Sequence, residues 1–146
     1  GLWPVVLDTF SSLNYPHITV LQFETREALP SAVISRLNKL KPCEVTFSGL
    51  TLLPSHKEGV WAEISILKSK DLLSLQQKAL ALLPKIKVIN SLADRFRPHI
   101  TLSRIQPQTD LCVSDLDTSL LRKKDVPTKV ELRILDKDFG WRITKL

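Results

Sequence analysis

Cysteine is scarce in this sequence: only Cys43 and Cys112 occur, and they lie far apart. Such spacing excludes a disulfide framework, so we expect two small buried hydrophobic residues and a reducing, cytoplasmic compartment. No apolar run approaches the roughly 20 residues of a membrane-spanning helix, so no membrane partner is expected. Methionine is absent and the first residues lack the features of a signal peptide. This predicts a processed fragment, an excised domain or a tagged chain.

Several motifs of common catalytic sites are also absent. The sequence contains no Gly-rich phosphate loop, no Gly-x-Ser-x-Gly and no His-x-His-x-His, which excludes the usual signatures of nucleotide-binding loops, serine hydrolases and histidine-triad hydrolases. A zinc site needs three or four ligands at short spacing, and we expect neither a metal nor another cofactor. His56 lies in a lysine-rich turn and is expected at the surface. A solvent-facing position is also expected for four aspartates in turn-like stretches: Asp115, Asp117, Asp136 and Asp138.

The length and the net charge of the chain limit its domain organisation and its possible partners. The 146 residues are 43% apolar, which predicts one globular domain over residues 1–146, and we expect a monomer. The formal net charge is +6. Two interpretations of this charge stay open: an ordinary solvated basic surface, or attraction to a polyanion such as RNA or a nucleotide.

The most informative feature is a tetrapeptide that occurs twice. Pro-His-Ile-Thr stands at residues 16–19 and again at residues 98–101, each time among β-branched and apolar residues that favour a strand. Alternate side chains of a strand share a face, so each histidine projects with its threonine while the isoleucine between them points into a core. We therefore expect one site built from two similar halves, with four residues on the exposed faces: His17, Thr19, His99 and Thr101.

Hydrophobic periodicity and turn residues predict the remaining elements. The predicted helices cover residues 25–40 and 71–83, and residues 110–124 are expected to be partly helical. The predicted strands cover residues 3–7, 15–23, 44–53, 60–67, 86–89, 96–105, 129–135 and 140–145. The strands at 44–53 and 60–67 should form a hairpin, as should those at 129–135 and 140–145. In the strand at 60–67, the face that carries Glu63 is expected to be exposed to solvent.

The two halves of the chain repeat the same order of elements: histidine strand, helix, strand, turn, strand. A duplicated unit usually packs about a pseudo-two-fold axis, which would bring the two histidine strands to matching positions in a central cleft. The predicted fold class is therefore α+β and bilobal, with two pseudo-symmetric antiparallel-sheet lobes and helices on the outer faces.

Two histidines with two threonines suit transfer at a phosphodiester. Histidine titrates near neutral pH, so one imidazole takes the proton of an attacking hydroxyl while the other protonates the departing oxygen. The threonine hydroxyls donate hydrogen bonds to the non-bridging phosphate oxygens, where negative charge builds up. This chemistry needs no metal.

The paired motif resembles that of the 2H phosphoesterase superfamily, and residues 96–104, Phe-Arg-Pro-His-Ile-Thr-Leu-Ser-Arg, are particularly similar to the second motif of LigT-like RNA phosphodiesterases. The resemblance covers essentially the whole chain. It implies a bilobal α+β fold and metal-independent chemistry on 2′ linkages of RNA. Carried over to this sequence, it implies that His17 and His99 are catalytic and that Thr19 and Thr101 bind phosphate.

Within this superfamily the chain is shorter than typical LigT proteins. In its compactness it is more similar to the 2′,5′-phosphodiesterase domains of rotaviruses, coronaviruses and toroviruses than to LigT proteins. That likeness implies cleavage of 2′,5′-oligoadenylate in the host cytoplasm, which blocks the activation of RNase L. Two alternatives stay open. One is a 2′,3′-cyclic nucleotide phosphodiesterase or RNA end-processing enzyme with the same four residues. The other is a module that binds RNA or a nucleotide without turnover.

Strand alternation adds three candidate substrate-binding residues. Arg97 and Ser103 are expected on the face of His99, and Tyr15 on the face of His17. Arg97 would hold a phosphate and Tyr15 would stack on a base. The alternative is that Arg97 is a surface charge and that Tyr15 lies at the edge of the core.

Overall fold

The computed structural model describes residues 6–8, 17–54, 59–105, 123–127, 130, 132–136 and 140–143. Antiparallel strands and two helices within these ranges confirm the α+β class. The helices are α1 (Ser31–Asn38) and α2 (Lys70–Leu82), and a 3-10 turn covers Ala93–Arg95. The strands are β1 (Val6–Asp8), β2 (Phe23–Glu24), β3 (Val45–Pro54), β4 (Val60–Ile66), β5 (Lys87–Val88), β6 (His99–Ile105), β7 (Lys124–Asp125), β8 (Arg133–Asp136) and β9 (Gly140–Ile143).

Contacts divide the chain into two compact units. The first, called the sheet unit here, comprises residues 1–19, 46–67 and 98–124. The second, called the helical unit, comprises residues 20–45, 68–97 and 125–146. The expectation of a single domain over residues 1–146 stays a prediction.

The sheet unit contains a five-stranded sheet with the order β1-β6-β4-β3-β7. The predicted hairpin of β3 and β4 is confirmed, with Leu50 opposite Ile64 in an antiparallel register. Gly59 enters β4 with a φ of 99°, a region that favours glycine because it has no Cβ. Strand β6 lies antiparallel between β4 and β1, so the second histidine motif occupies an interior strand of this sheet.

Both faces of β4 are covered at its centre. Ala62, Glu63 and Ile64 are all buried, and because successive strand residues point to opposite faces, neither face is exposed there. The prediction that this strand has a solvent-exposed face is therefore wrong at Glu63, which is only 5% exposed.

The first histidine motif lies in a much shorter extended segment than predicted. Instead of one strand over residues 15–23, the described part shows a single bridge at Ile18 and a separate two-residue strand, β2, paired with β5. The carbonyl of Val20 accepts hydrogen bonds from the side-chain amides of Gln76 and Asn90. These side-chain amides occupy a backbone acceptor that a continuous strand would offer to a neighbouring strand.

Both helices belong to the helical unit and share its core. Helix α2 matches its prediction: the Ser69 hydroxyl accepts the N–H of Leu72 at its start, and Pro84 follows its end. Helix α1 starts at Ser31 and not near residue 25, because a residue before a proline, here Leu29, is forced into an extended backbone. The core of this unit is centred on three residues: Leu37, Ala79 and Leu83.

The remaining predictions concern the edges of the described ranges. The hairpin of β8 and β9 is confirmed, with Asp136 opposite Gly140, and the strand predicted at 86–89 is present as β5. Residues 110–122, predicted to be partly helical, lie outside the described residues. The end of that stretch forms β7 and is not helical.

Candidate active site

The two histidine motifs lie side by side in the sheet unit. Ile18 and Ile100, the central residues of the two motifs, form an antiparallel bridge. In an antiparallel pair, the residue before one partner lies opposite the residue after the other. Therefore His17 lies opposite Thr101, and Thr19 lies opposite His99.

This pairing places four polar side chains on one face. Directly opposed residues project from the same side of a sheet, and neighbours along a strand project from opposite sides. The two isoleucines therefore share one face, and the two His-x-Thr pairs share the other. His17 and His99 are diagonal neighbours, a relation that separates their backbone positions by roughly 7–8 Å. Such a spacing leaves room for a phosphate group between two imidazoles.

Exposure differs within this group, although the two motifs have the same sequence. Thr19 is exposed, whereas His17, His99 and Thr101 are half-buried. Side chains that retain contact with solvent are accessible to a soluble substrate. The structure thus brings together all four residues that the repeat predicts, on one accessible patch of a sheet.

Glu63 of β4 adds a carboxylate that the sequence did not indicate. It lies opposite Thr101 in the register of β4 and β6, which places it on the face of the His-x-Thr pairs. Its Oε1 lies 3.5 Å from Nε2 of His99, and its side chain is 7% exposed. Along the sequence, Glu63 alternates with apolar residues as a surface glutamate would. Only its register against β6 reveals the contact.

Two hydroxyls continue this polar face beyond Glu63. Thr51 of β3 lies opposite Glu63, and its Oγ1 is 2.6 Å from Oγ of Ser65. Ser65 in turn lies opposite His99 in the register of β4 and β6. The short distance between the two oxygens shows that these hydroxyls are hydrogen-bonded to each other.

The sequence also suggests three substrate-binding residues: Tyr15, Arg97 and Ser103. Tyr15 lies outside the described residues. Arg97 is exposed and precedes β6, which begins at His99. A register shift between Ala62 and Glu63 interrupts the strand alternation on which the expectation for Ser103 was based. All three stay predictions as substrate-binding residues.

Most of the other residues discussed from the sequence lie outside the described ranges. His56, Cys112, Asp115, Asp117 and Asp138 lie outside the described residues. Cys43 is half-buried, and burial, followed by the charge of Asp71, raises the pKa of its thiol. A raised pKa lowers the fraction of reactive thiolate, which fits a packing role for this cysteine.

Among the described residues, no group of three or more histidine, cysteine, aspartate or glutamate side chains is placed to hold a metal ion. Within the same ranges, neither helix combines the length and the apolar character that crossing a bilayer requires.

Comparison with known proteins identifies a matching family. The sequence profile of the family described as the 2′-5′ RNA ligase superfamily matches residues 8–134. This range is most of the chain and contains both His-x-Thr pairs. No curated protein and no solved structure matches the chain significantly.

Proposed function

Because this chain belongs to the 2′-5′ RNA ligase superfamily, we propose that it is a metal-independent phosphodiesterase that cleaves 2′,5′-linked oligoadenylate. The superfamily consists typically of phosphodiesterases and ligases that act on RNA or nucleotides. The observation that carries the proposal is the antiparallel bridge between Ile18 and Ile100. It supports one site in which both histidines flank a single phosphate.

The proposed reaction assigns one role to each type of side chain. In a 2′,5′ linkage the 3′-hydroxyl is free and adjacent to the phosphorus, so its attack has a small entropic cost. One histidine accepts the proton of this hydroxyl and the other protonates the departing 5′-oxygen. Thr19 and Thr101 stabilise the charge on the non-bridging oxygens. The products are a 2′,3′-cyclic phosphate and a free 5′-hydroxyl.

The family name refers to ligation, and this is compatible with the proposed cleavage because the two reactions are the reverse of each other. Joining a 2′,3′-cyclic phosphate to a 5′-hydroxyl is the reverse of the proposed cleavage, and by microscopic reversibility it uses the same two histidines with their roles exchanged. Cleavage separates one molecule into two, so dilution favours it. We therefore propose net cleavage at low substrate concentration.

The finer parts of the proposal follow from the resemblance to viral domains. They comprise two pseudo-symmetric lobes with a central cleft, a monomeric protein in the host cytoplasm, and removal of the 2′,5′-oligoadenylate that activates RNase L. The net charge of +6 supports an anionic oligonucleotide as the substrate.

Three substrates test the proposal. We expect cleavage of 2′,5′-triadenylate to be much faster than cleavage of 3′,5′-triadenylate, because the latter presents its phosphorus and its 2′-nucleophile in exchanged positions. Comparable rates would refute the linkage specificity. Rapid opening of 2′,3′-cyclic AMP without cleavage of either trimer would favour the cyclic phosphodiesterase, and binding without turnover would favour the binding module.

Chelation tests the metal-free chemistry. We expect EDTA to leave the rate on 2′,5′-triadenylate unchanged, because two imidazoles supply both proton transfers. Loss of activity that an added divalent cation restores would contradict this part of the proposal.

A further inference from the structure

We infer that Gly49, Thr51 and Ser65 form a subsite for the departing nucleoside, the one that leaves with the 5′-oxygen. This inference rests on the proposed function and adds to it a place for one half of the substrate. None of the three residues belongs to the repeated tetrapeptide. The register of the sheet brings them to the face of the His-x-Thr pairs.

Two rows of residues cross this face of the sheet. In one row, Ser65 of β4 lies opposite His99 of β6 on one side and opposite Gly49 of β3 on the other. In the next row, Thr51 lies opposite Glu63. Neighbouring strands are roughly 4.7–4.9 Å apart, so the backbone of Gly49 lies about 9–10 Å from that of His99. A nucleoside attached to a phosphate beside His99 extends over such a distance.

Gly49 leaves the face open at β3. Glycine weakens the interior of a strand, and neither the backbone nor the packing requires it here. Its φ is not positive, which excludes the type of bulge that needs glycine, although the register shifts just before this position. Apart from the chain neighbours, no atom of the described residues lies within 4 Å of a Cβ added to Gly49. The missing side chain therefore leaves room for a ligand that approaches the backbone.

Thr51 and Ser65 supply the polar groups of the subsite. Both residues are half-buried, and their side-chain oxygens are 2.6 Å apart. One hydroxyl donates its proton to the other, so the second keeps its own proton, and each oxygen keeps a lone pair that can accept. Such a pair complements a ribose hydroxyl, which is also both a donor and an acceptor.

The chemistry of the substrate indicates which nucleoside is bound. The attacking nucleoside has its 2′-oxygen in the linkage to phosphorus and its 3′-hydroxyl as the nucleophile, so a histidine already claims its hydroxyl. The departing nucleoside of a dimer keeps both its 2′- and its 3′-hydroxyl throughout the reaction. Its ribose therefore matches the hydroxyls of Thr51 and Ser65, and the open space over Gly49 accommodates its base.

A substrate without the departing nucleoside tests the open space. In adenosine 2′-(methyl phosphate), methanol leaves instead of the second nucleoside, whereas the 3′-hydroxyl and the phosphate are unchanged. Gly49→Ile fills the space, and we expect kcat/KM on 2′,5′-diadenylate to fall about 10–10²-fold, because a displaced nucleoside carries the phosphorus out of position. The value on the methyl ester should stay near that of the wild type.

Two controls accompany this variant. Gly49→Ala removes the glycine but adds only a Cβ that has space around it, so it should retain most of the activity on both substrates. Chemical denaturation checks the fold of Gly49→Ile. Its free energy of unfolding should not fall, because β-branched residues are favoured in strands and glycine is not.

A cycle of two changes tests the hydroxyl pair. One change is the double variant Thr51→Val with Ser65→Ala, and the other is a dimer whose departing nucleoside is 2′,3′-dideoxyadenosine. Each change alone should lower kcat/KM about three- to tenfold, the net effect of a hydrogen bond. Together they should lower it no further, because they remove the same contact. The matched control is Ser48→Ala, which removes an exposed hydroxyl that donates to the backbone carbonyl of Ser65 at 3.1 Å and should keep the wild-type values.

Three results would overturn the inference. They are an unchanged kcat/KM of Gly49→Ile on the dimer, an equal loss on the dimer and the methyl ester, and additive losses in the cycle. If Gly49→Ile does not fold, the cycle still decides whether the hydroxyl pair binds the departing ribose. A wild-type protein that cleaves neither the dimer nor the methyl ester would refute the proposed function instead, so the two failures are distinguishable.

Discussion

The side chain of His17 is half-buried, which suits a residue that meets a substrate and contributes little to packing. We predict that His17→Ala lowers kcat on 2′,5′-triadenylate by about 10²–10⁴-fold. The free energy of unfolding should fall by less than about 0.5 kcal/mol, as is usual for residues near the surface. Steady-state kinetics and chemical denaturation measure the two quantities. Full activity in this variant would remove His17 from the mechanism.

His99 neighbours the buried carboxylate of Glu63. From the sequence alone, its replacement is expected to leave the melting temperature almost unchanged. The structure changes this expectation, because His99→Ala takes away a partner of the buried Glu63 carboxylate. We predict that His99→Ala lowers the free energy of unfolding by about 1–3 kcal/mol.

A double variant provides the control for this prediction. Combining His99→Ala with Glu63→Gln removes the buried charge together with its partner. It should recover part of the lost free energy of unfolding, because a neutral amide is less costly to bury than a carboxylate. Equal free energies of unfolding for the single and the double variant would show that the pair does not contribute to stability.

At the level of elements, a buried amide cluster holds the segments that flank both motifs. Gln76 of α2 is fully buried, and its Nε2 donates to the carbonyl of Val20 at 3.0 Å. Its Oε1 accepts the N–H of Ala93 at 3.1 Å, a residue with a φ of 50° that is unfavourable for a side chain with a Cβ. Val20 directly follows Thr19 in the chain, and the 3-10 turn that begins at Ala93 leads towards the second motif. Gln76 therefore holds together two segments of the helical unit, one that follows the first motif in the chain and one that precedes the second.

We predict that Gln76→Leu lowers the free energy of unfolding by about 1–3 kcal/mol, because it removes two partly buried hydrogen bonds, one to the carbonyl of Val20 and one from the N–H of Ala93. The adjacent Gln77 is exposed on the same helix, so Gln77→Leu is the matched control and should change this free energy by less than about 0.5 kcal/mol. Chemical denaturation of the two variants measures the difference. Equal values would show that the cluster is not needed to hold the flanking segments.

The elements that sequence reasoning predicts well are those whose signals are local. The β3–β4 hairpin and α2 follow from alternation, helical spacing and flanking turn residues. The repeated tetrapeptide locates the four candidate residues that the bridge between Ile18 and Ile100 brings onto one face. Gln76 was not predictable in the same way, because it bonds to a carbonyl 56 residues away in sequence. The contact of Glu63 with His99 was not predictable for the same reason. His99 belongs to another strand, and only the register of β4 against β6 brings these two residues together.

At the scale of the whole molecule, the net charge of +6 has two interpretations that a binding experiment separates. Either the positive charge is an ordinary solvated surface, or it binds the phosphates of an oligonucleotide beyond the scissile one. In the second case each neutralised phosphate releases counterions, and affinity falls with salt by a slope of about 0.7 per phosphate for single strands.

Binding to oligoadenylates of different length separates these interpretations. The His17→Ala variant, which is expected to cleave slowly, allows binding to be measured before cleavage, and the same variant is used for all ligands. If the basic surface contacts the strand, the dependence of log Kd on log salt should be steeper for 2′,5′-tetraadenylate, with three phosphodiesters, than for the dimer with one. Fluorescence anisotropy over a range of salt concentrations measures both slopes. Identical slopes would limit recognition to the single phosphate that we propose to lie between His17 and His99, because added phosphates would then release no further counterions.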